Sequence, residues 1–257
     1  MNMTSFNPKH RAMHGVALCA MVLPMVLFFP RLVGAADLDI NPVRLEISAQ
    51  EPTAAITIKN ESDKPTSIQI RAVAWSQLDG KDVYVPTGDL LVSPPIVTIA
   101  PKSEQVIRAA LRRPVDKASE LAYRINLQEL PEPPDPAFAG VQVALRIGLP
   151  VFVQPQESKA LPKMAWSIVR LPDNTLKVGL HNSGNAHVQI SDFALYVPGS
   201  AQPLVGESSS SYVLAGQTRE WLLKPVAAMD KANGGLLRLK AYTDAGDIDM
   251  ELALAKP

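Results

Sequence analysis

Apolar and polar residues alternate with a period of two along most of this chain, and Asn, Asp, Gly and Pro break the alternation at short intervals. Side chains point to opposite faces along a strand, so this pattern predicts half-buried β-strands. TAAITIKN (53–60) alternates, and NESDKP (60–65) then supplies turn chemistry, with Asn and Asp bonding their own backbone and Pro65 fixing φ. TSIQIRAVAWS (66–76) puts Ile68, Ile70, Ala72 and Ala74 on one face, and LDGKD (78–82) predicts a hairpin. IVTIAP, EQVIRAALRRP (104–114) and LAYRINLQELP (121–131) continue the series. No stretch shows a capped 3.6-residue period.

The longest alternation is VQVALRIGLPVFV (141–153), which follows the proline-rich PEPPDPAFAG. Val141, Val143, Leu145, Ile147, Leu149, Val151 and Val153 share one face, against Gln142, Ala144, Arg146, Gly148, Pro150 and Phe152 on the other. Strands usually run to about five or six residues. One this long and apolar either crosses a core or offers its side chains to another molecule. QPQESKALPK (154–163) reads as a linker, and alternation restarts with MAWSIVRL and runs to DIDMELAL. The expected organisation is an all-β chain of two sandwich domains, residues 37–155 and 156–257. Beyond the linker the second unit has about 95 residues, close to the ~100 of an immunoglobulin-like sandwich.

Residues 1–36 stand apart. Lys9, His10 and Arg11 precede an apolar run from Val16 to Pro30, and Val33, Gly34, Ala35 and Ala36 follow. This is the layout of a cleaved secretory signal peptide, with the cut after Ala35 or Ala36. The run is shorter than the ~20 residues of a spanning helix, and Pro24 and Pro30 interrupt it. The only cysteine, Cys19, lies inside it, so the processed chain relies on core burial without disulfides. Loss of Lys9, Arg11 and Arg31 changes the balance from 25 basic and 25 acidic residues to 22 and 25. A mildly acidic surface offers no footprint for nucleic acid.

Candidate chemistry is sparse. The sequence has no nucleophile elbow, phosphate loop or metal-ligand cluster. His181 and His187 flank the turn NSGNA and read as exposed hairpin residues. Asp244, Asp247, Asp249 and Glu251 surround Gly246 as a solvated acidic hairpin without the full calcium-loop pattern. Arg44, Arg108 and Arg146 sit inside apolar strands. Each suits a solvent face, although guanidinium groups between β-domains also clamp carboxylates through paired hydrogen bonds.

Taken together, NPVRLEIS, the Asn60-to-Pro65 turn, LLVSPPIVTIAPKSEQVIR (90–108), RINLQELPEPP (124–134) and VQVALRIGLPVFVQP (141–155) resemble the periplasmic pilus chaperones of the chaperone–usher pathway. These are the PapD-like family, and the RIGLPVF variant is similar to its archaic branch. The resemblance covers nearly all of the first domain; the second agrees mainly in length and strand character. It implies two immunoglobulin-like β-sandwich domains in a boomerang arrangement. It also implies a periplasmic protein that captures pilus or fimbrial subunits by strand addition and delivers them to an outer-membrane usher, without ATP or any cofactor. The donated side chains would be Val141, Val143, Leu145 and Ile147. Arg44 would anchor the subunit's C-terminal carboxylate. The family's second cation, a lysine, falls on Pro150, which leaves Arg108 and Arg146 as candidates. An interdomain ion-pair network would map to Glu120, Gln154 and Asp244, with Gln154 replacing an arginine. An exposed apolar edge would also let the free protein cap itself as a dimer. A pilin-like structural or adhesive sandwich is the alternative, and a secreted hydrolase is a third reading that lacks a catalytic constellation.

Overall fold

The computed structural model describes residues 37–131, 143–225 and 235–255. Residues 1–36 and Val141 therefore lie outside the described residues. The first sandwich sets a four-stranded sheet against a six-stranded one. The smaller sheet runs β1 (Leu38–Asn41), β3 (Thr53–Asn60), β8 (Glu104–Leu111), β6 (Leu90–Ser93). The larger runs β2 (Leu45–Ile47), β10 (Arg146–Val153), β9 (Leu121–Leu130), β4 (Thr66–Leu78), β5 (Lys81–Pro86), and β7 (Ile96–Ile99) pairs the start of β4. Alternate residues of both sheets, such as Ile56, Ile58, Ile107, Ile68, Ile70, Ile125 and Val151, form one core. At the β4–β5 hairpin, Asp79 and Gly80 take φ of 51° and 73°, the paired positive values that suit a two-residue turn.

The second sandwich is an eight-stranded arrangement. Its order is β14 (Val205–Glu207), β13 (Val188–Tyr196), β17 (Leu236–Thr243), β18 (Ile248–Ala255), β11 (Met164–Arg170), β12 (Leu176–Asn182), β16 (Thr218–Leu223). The short β15 (Ser211–Val213) pairs β13. Trp166, Phe193 and Trp221 pack with Leu180, Val188 and Leu239 in its core. Residues 154–163, between β10 and β11, carry no strand.

Each sandwich buries one asparagine in the same role. Asn60 Nδ2 donates to the carbonyls of Lys64 (2.7 Å) and Ile99 (3.1 Å), while its Oδ1 accepts from Ser62 N (3.0 Å). Asn182 Nδ2 likewise donates to Ala186 O (2.7 Å) and Val213 O (3.1 Å), and its Oδ1 accepts from Gly184 N (3.0 Å). Replacing either by alanine strands buried carbonyls.

The turn from Asn182 to His187 is also the joint between the sandwiches. Asn185 Nδ2 donates to Ala118 O (2.9 Å) and Ser158 Oγ (2.8 Å), and its carbonyl accepts from Glu120 N (2.9 Å). His187 corrects the reading of two exposed histidines. Its ring stacks on Phe152 at 3.4 Å, Nδ1 lies 2.7 Å from Glu120 Oε1, and Nε2 lies 3.5 Å from Asp244 Oδ2. His181 remains exposed and bonds Thr218 Oγ1 at 2.9 Å. Trp75, Phe152, Leu214 and Tyr212 complete a small apolar joint drawn from both sandwiches. Gln77 extends it, donating to Tyr212 O (2.9 Å) and accepting from Leu214 N (3.0 Å).

Burial alone would favour neutral His187, but the Asp244 and Glu120 carboxylates outweigh it and raise its pKa above the ordinary 6.5. The stability that the imidazolium contributes is therefore complete below about pH 6.5 and is lost as pH rises through the raised value. Asp244 has the opposite dependence. Burial is its largest influence, yet His187, Gln189 N and Arg44 hold its carboxyl below the usual range, so its contribution is lost only in acid.

Two predictions follow from the asparagines and the joint. Asn60→Ala and Asn182→Ala should each cost about 2–3 kcal/mol in denaturant unfolding. In calorimetry from pH 5.5 to 8.5, the melting temperature should fall more for the parent chain than for His187→Gln; parallel curves would show that His187 does not bind the two sandwiches through charge.

Candidate functional site

The site begins where the first strand changes sheets. β1 pairs β3 as far as Asn41, the chain crosses at Pro42 and Val43, and β2 then pairs β10 in parallel. Its register is Leu45 with Val151, Glu46 with Phe152 and Ile47 with Val153. On its other side β10 pairs β9 antiparallel along its whole length, from Arg146 opposite Gln128 to Val153 opposite Leu121. From Arg146 to Pro150, β10 therefore has an open edge among the described residues.

The long alternation is only partly strand. Residues 143–145 precede β10 and carry no strand. The chain still follows the strand line: Glu129 N donates to Leu145 O (2.9 Å), and Leu145 N donates to Glu129 Oε2 (3.0 Å). Burial grades along the alternation. Val143 is 62% exposed, Leu145 and Ile147 are half-buried, and Leu149, Val151 and Val153 are in the core.

Pairing also decides which charges meet. The row Leu45–Val151–Tyr123 faces the core, so the adjacent row, Arg44–Pro150–Arg124, faces the joint with the second sandwich. Arg44 Nη1 donates to Asp244 Oδ2 at 2.9 Å, and Nη2 lies 3.7 Å from Glu46 Oε1. Through Asp244 it touches His187, which reaches Glu120. Glu120 and Asp244 thus share one network, with His187 between them. Gln154 bonds neither of those two carboxylates and donates to Glu46 Oε2 at 3.2 Å.

The other two arginines are elsewhere. Arg108 is an exposed residue of β8, opposite Ala55 and Ser93 in the smaller sheet. Arg146 is exposed four residues before Pro150, about 13 Å along the strand at ~3.3 Å per residue, and Nη2 bonds Gln128 Oε1 at 3.4 Å. The structure brings neither to Arg44. Opposite Pro150 on β9 stands Arg124, which alternation marks only as an outward position between Tyr123 and Ile125. Nothing in the sequence places it opposite Pro150; that depends on the β9–β10 register. His187 was equally hidden, since its partners come from segments about 60 residues away on either side.

Residues 37–159 match the family model of the pili and flagellar-assembly chaperone, PapD N-terminal domain. Among solved structures, the chain is similar to the CsuC–CsuE chaperone–tip adhesion subunit pre-assembly complex from the archaic chaperone–usher Csu pili of Acinetobacter baumannii. That likeness has a TM-score of 0.65 and 20% identity, covering 86% of this chain and all of the matched one. The Salmonella enterica SafA pilin in complex with the SafB chaperone matches with TM-score 0.59 and 15% identity over 86% and 98% of the two chains. The Pseudomonas aeruginosa CupB2 chaperone matches with TM-score 0.55 and 20% identity over 84% and 100%. No curated protein sequence matches this chain. Residues 37–159 thus match the PapD N-terminal domain of the pili and flagellar-assembly chaperones, and the chain shares the fold of the solved chaperones.

Proposed function

We propose that this protein is a periplasmic assembly chaperone that caps pilus subunits by strand addition along β10 and passes them to an outer-membrane usher. The observation that carries the reading is the open edge from Arg146 to Pro150, continued by the exposed, apolar segment 143–145. An added strand would take its main-chain bonds from that edge, and Val143, Leu145 and Ile147 would enter its pockets, with Val141 one step beyond. Full burial of such a side chain is worth about 1.5–3 kcal/mol, against the cost of ordering the segment. Strand addition needs no nucleotide, since the interaction energy itself holds the complex. Free of a client, the same edge would pair with a second copy of the chain. The complexes of CsuC with CsuE and of SafB with SafA are what related folds do, and they support the same role here.

Co-expression with the pilus subunits encoded beside it should give a one-to-one complex that resists proteolysis. No complex with any of them would defeat the proposal. Val143→Asp should lower capture at least about tenfold while changing stability by no more than ~0.5 kcal/mol. A large loss of stability would place Val143 in the chaperone's own core. Arg44→Ala should abolish capture with the fold retained, as read by circular dichroism; unfolding would make Arg44 structural.

A further inference from the structure

His187 stands between two carboxylates, and one of them also holds Arg44. Nδ1 lies 2.7 Å from Glu120 Oε1, which accepts from His187 N as well (3.0 Å). Nε2 lies 3.5 Å from Asp244 Oδ2, the same oxygen that accepts from Arg44 Nη1 at 2.9 Å. The other oxygen of Asp244 accepts from Gln189 N (2.8 Å). The stack on Phe152 sets the plane of the ring. Tyr212, with its ring centre 5.8 Å away, stays neutral because burial raises its phenol above the ordinary value. Beyond Asp244, the second charge on Arg44 is Glu46, 3.7 Å from Nη2.

Donors and acceptors settle what the ring can do here. Only the imidazolium donates from both nitrogens. A neutral ring keeps one proton, and Glu120 claims it at Nδ1. That contact is the shorter one, and the Glu120 side chain is 5% exposed against 27% for Asp244. Nε2 then turns a lone pair toward Asp244 Oδ2. With the ring neutral, Arg44 is the one side-chain cation on that oxygen. With the ring protonated, two cations share it, and each is held less firmly. The grip of Asp244 on Arg44 therefore follows the protonation of His187.

Arg44 is the residue immediately before the first β2–β10 pair, Leu45 with Val151, so it stands where the open edge ends. We propose that His187 is a positioning residue for Arg44: proton uptake on its ring loosens the Arg44–Asp244 pair and frees the guanidinium for an acidic group of a captured subunit. This rests on the chaperone reading. The coupling is reciprocal. An acidic group that draws Arg44 away leaves Asp244 to His187 alone, so capture favours the imidazolium and takes up a proton. Capture is tighter in mild acid and weakens as pH rises through the range where His187 loses its proton. The proton that ties Glu120 to Asp244 across the two sandwiches thus also prepares the edge of the first.

The test follows the His187 ring by carbon-13 NMR in the full chain, free and in complex with a subunit that it captures. Only this chain carries labelled histidine, and His181→Gln identifies the signal, since His181 is exposed and bonds Thr218. The midpoint of the His187 titration should be higher in the complex by at least about 0.7 pH unit, equivalent to about fivefold tighter capture by the protonated chain. Between about pH 5.5 and 8.5, capture by the parent chain should fall about fivefold, and capture by His187→Gln by less. An unchanged or lowered midpoint overturns the inference, as do parallel pH profiles for the two chains. The midpoint is read without any His187 variant, so it decides the matter even if His187→Gln fails to fold. Capture with an unmoved midpoint removes the proton coupling and leaves the chaperone reading standing. Failure to capture any subunit at any pH defeats that reading and the coupling with it.

Discussion

β2 pairs β10 only from Val151 to Val153, and most of the functional arrangement depends on that short overlap. Because the first strand divides at Pro42 between two sheets, it closes the smaller sheet with β1 and only the end of the larger one with β2. The core is sealed at Leu45, Ile47, Val151 and Val153, while the edge beside Gly148 stays open. An open apolar edge is ordinarily a hazard. Here it is short, bounded by β2 at one end and flanked by arginines, so what it accepts is restricted.

The same overlap aims one face of β10 at the second sandwich. Phe152 fills the joint, His187 stacks on it, and the Glu120 and Asp244 carboxylates hold the ring from two sides. Arg44 is bound into this network through Asp244, so the residue nearest the open edge is also tied to the relation between the two sandwiches. An acidic group arriving at the row would compete with Asp244 for Arg44. On the proposed chaperone reading, client binding and the joint would thereby be linked through a single guanidinium.

Much of the framework is local and was legible in the chain. Thr53–Asn60 forms β3 with the bounds its alternation indicates, Asp79 and Gly80 turn the hairpin that LDGKD announces, and the odd-numbered residues from Leu149 to Val153 are in the core. Arg44 stood out because a charge inside NPVRLEIS breaks an apolar run. All of this follows from alternation and turn chemistry, which act between near neighbours in sequence.

What tertiary structure alone decided is which residues face one another. Arg124 meets the Pro150 row because of the β9–β10 register, and a one-residue slip would turn it into the core. His187 left the surface because the turn that carries it packs on Phe152 and Glu120, residues of the other sandwich. Periodicity assigns a side chain to a face, whereas pairing and packing assign it a partner. The apolar alternation therefore marked the strand, and only the fold showed where its edge opens and which charges stand at the end of it.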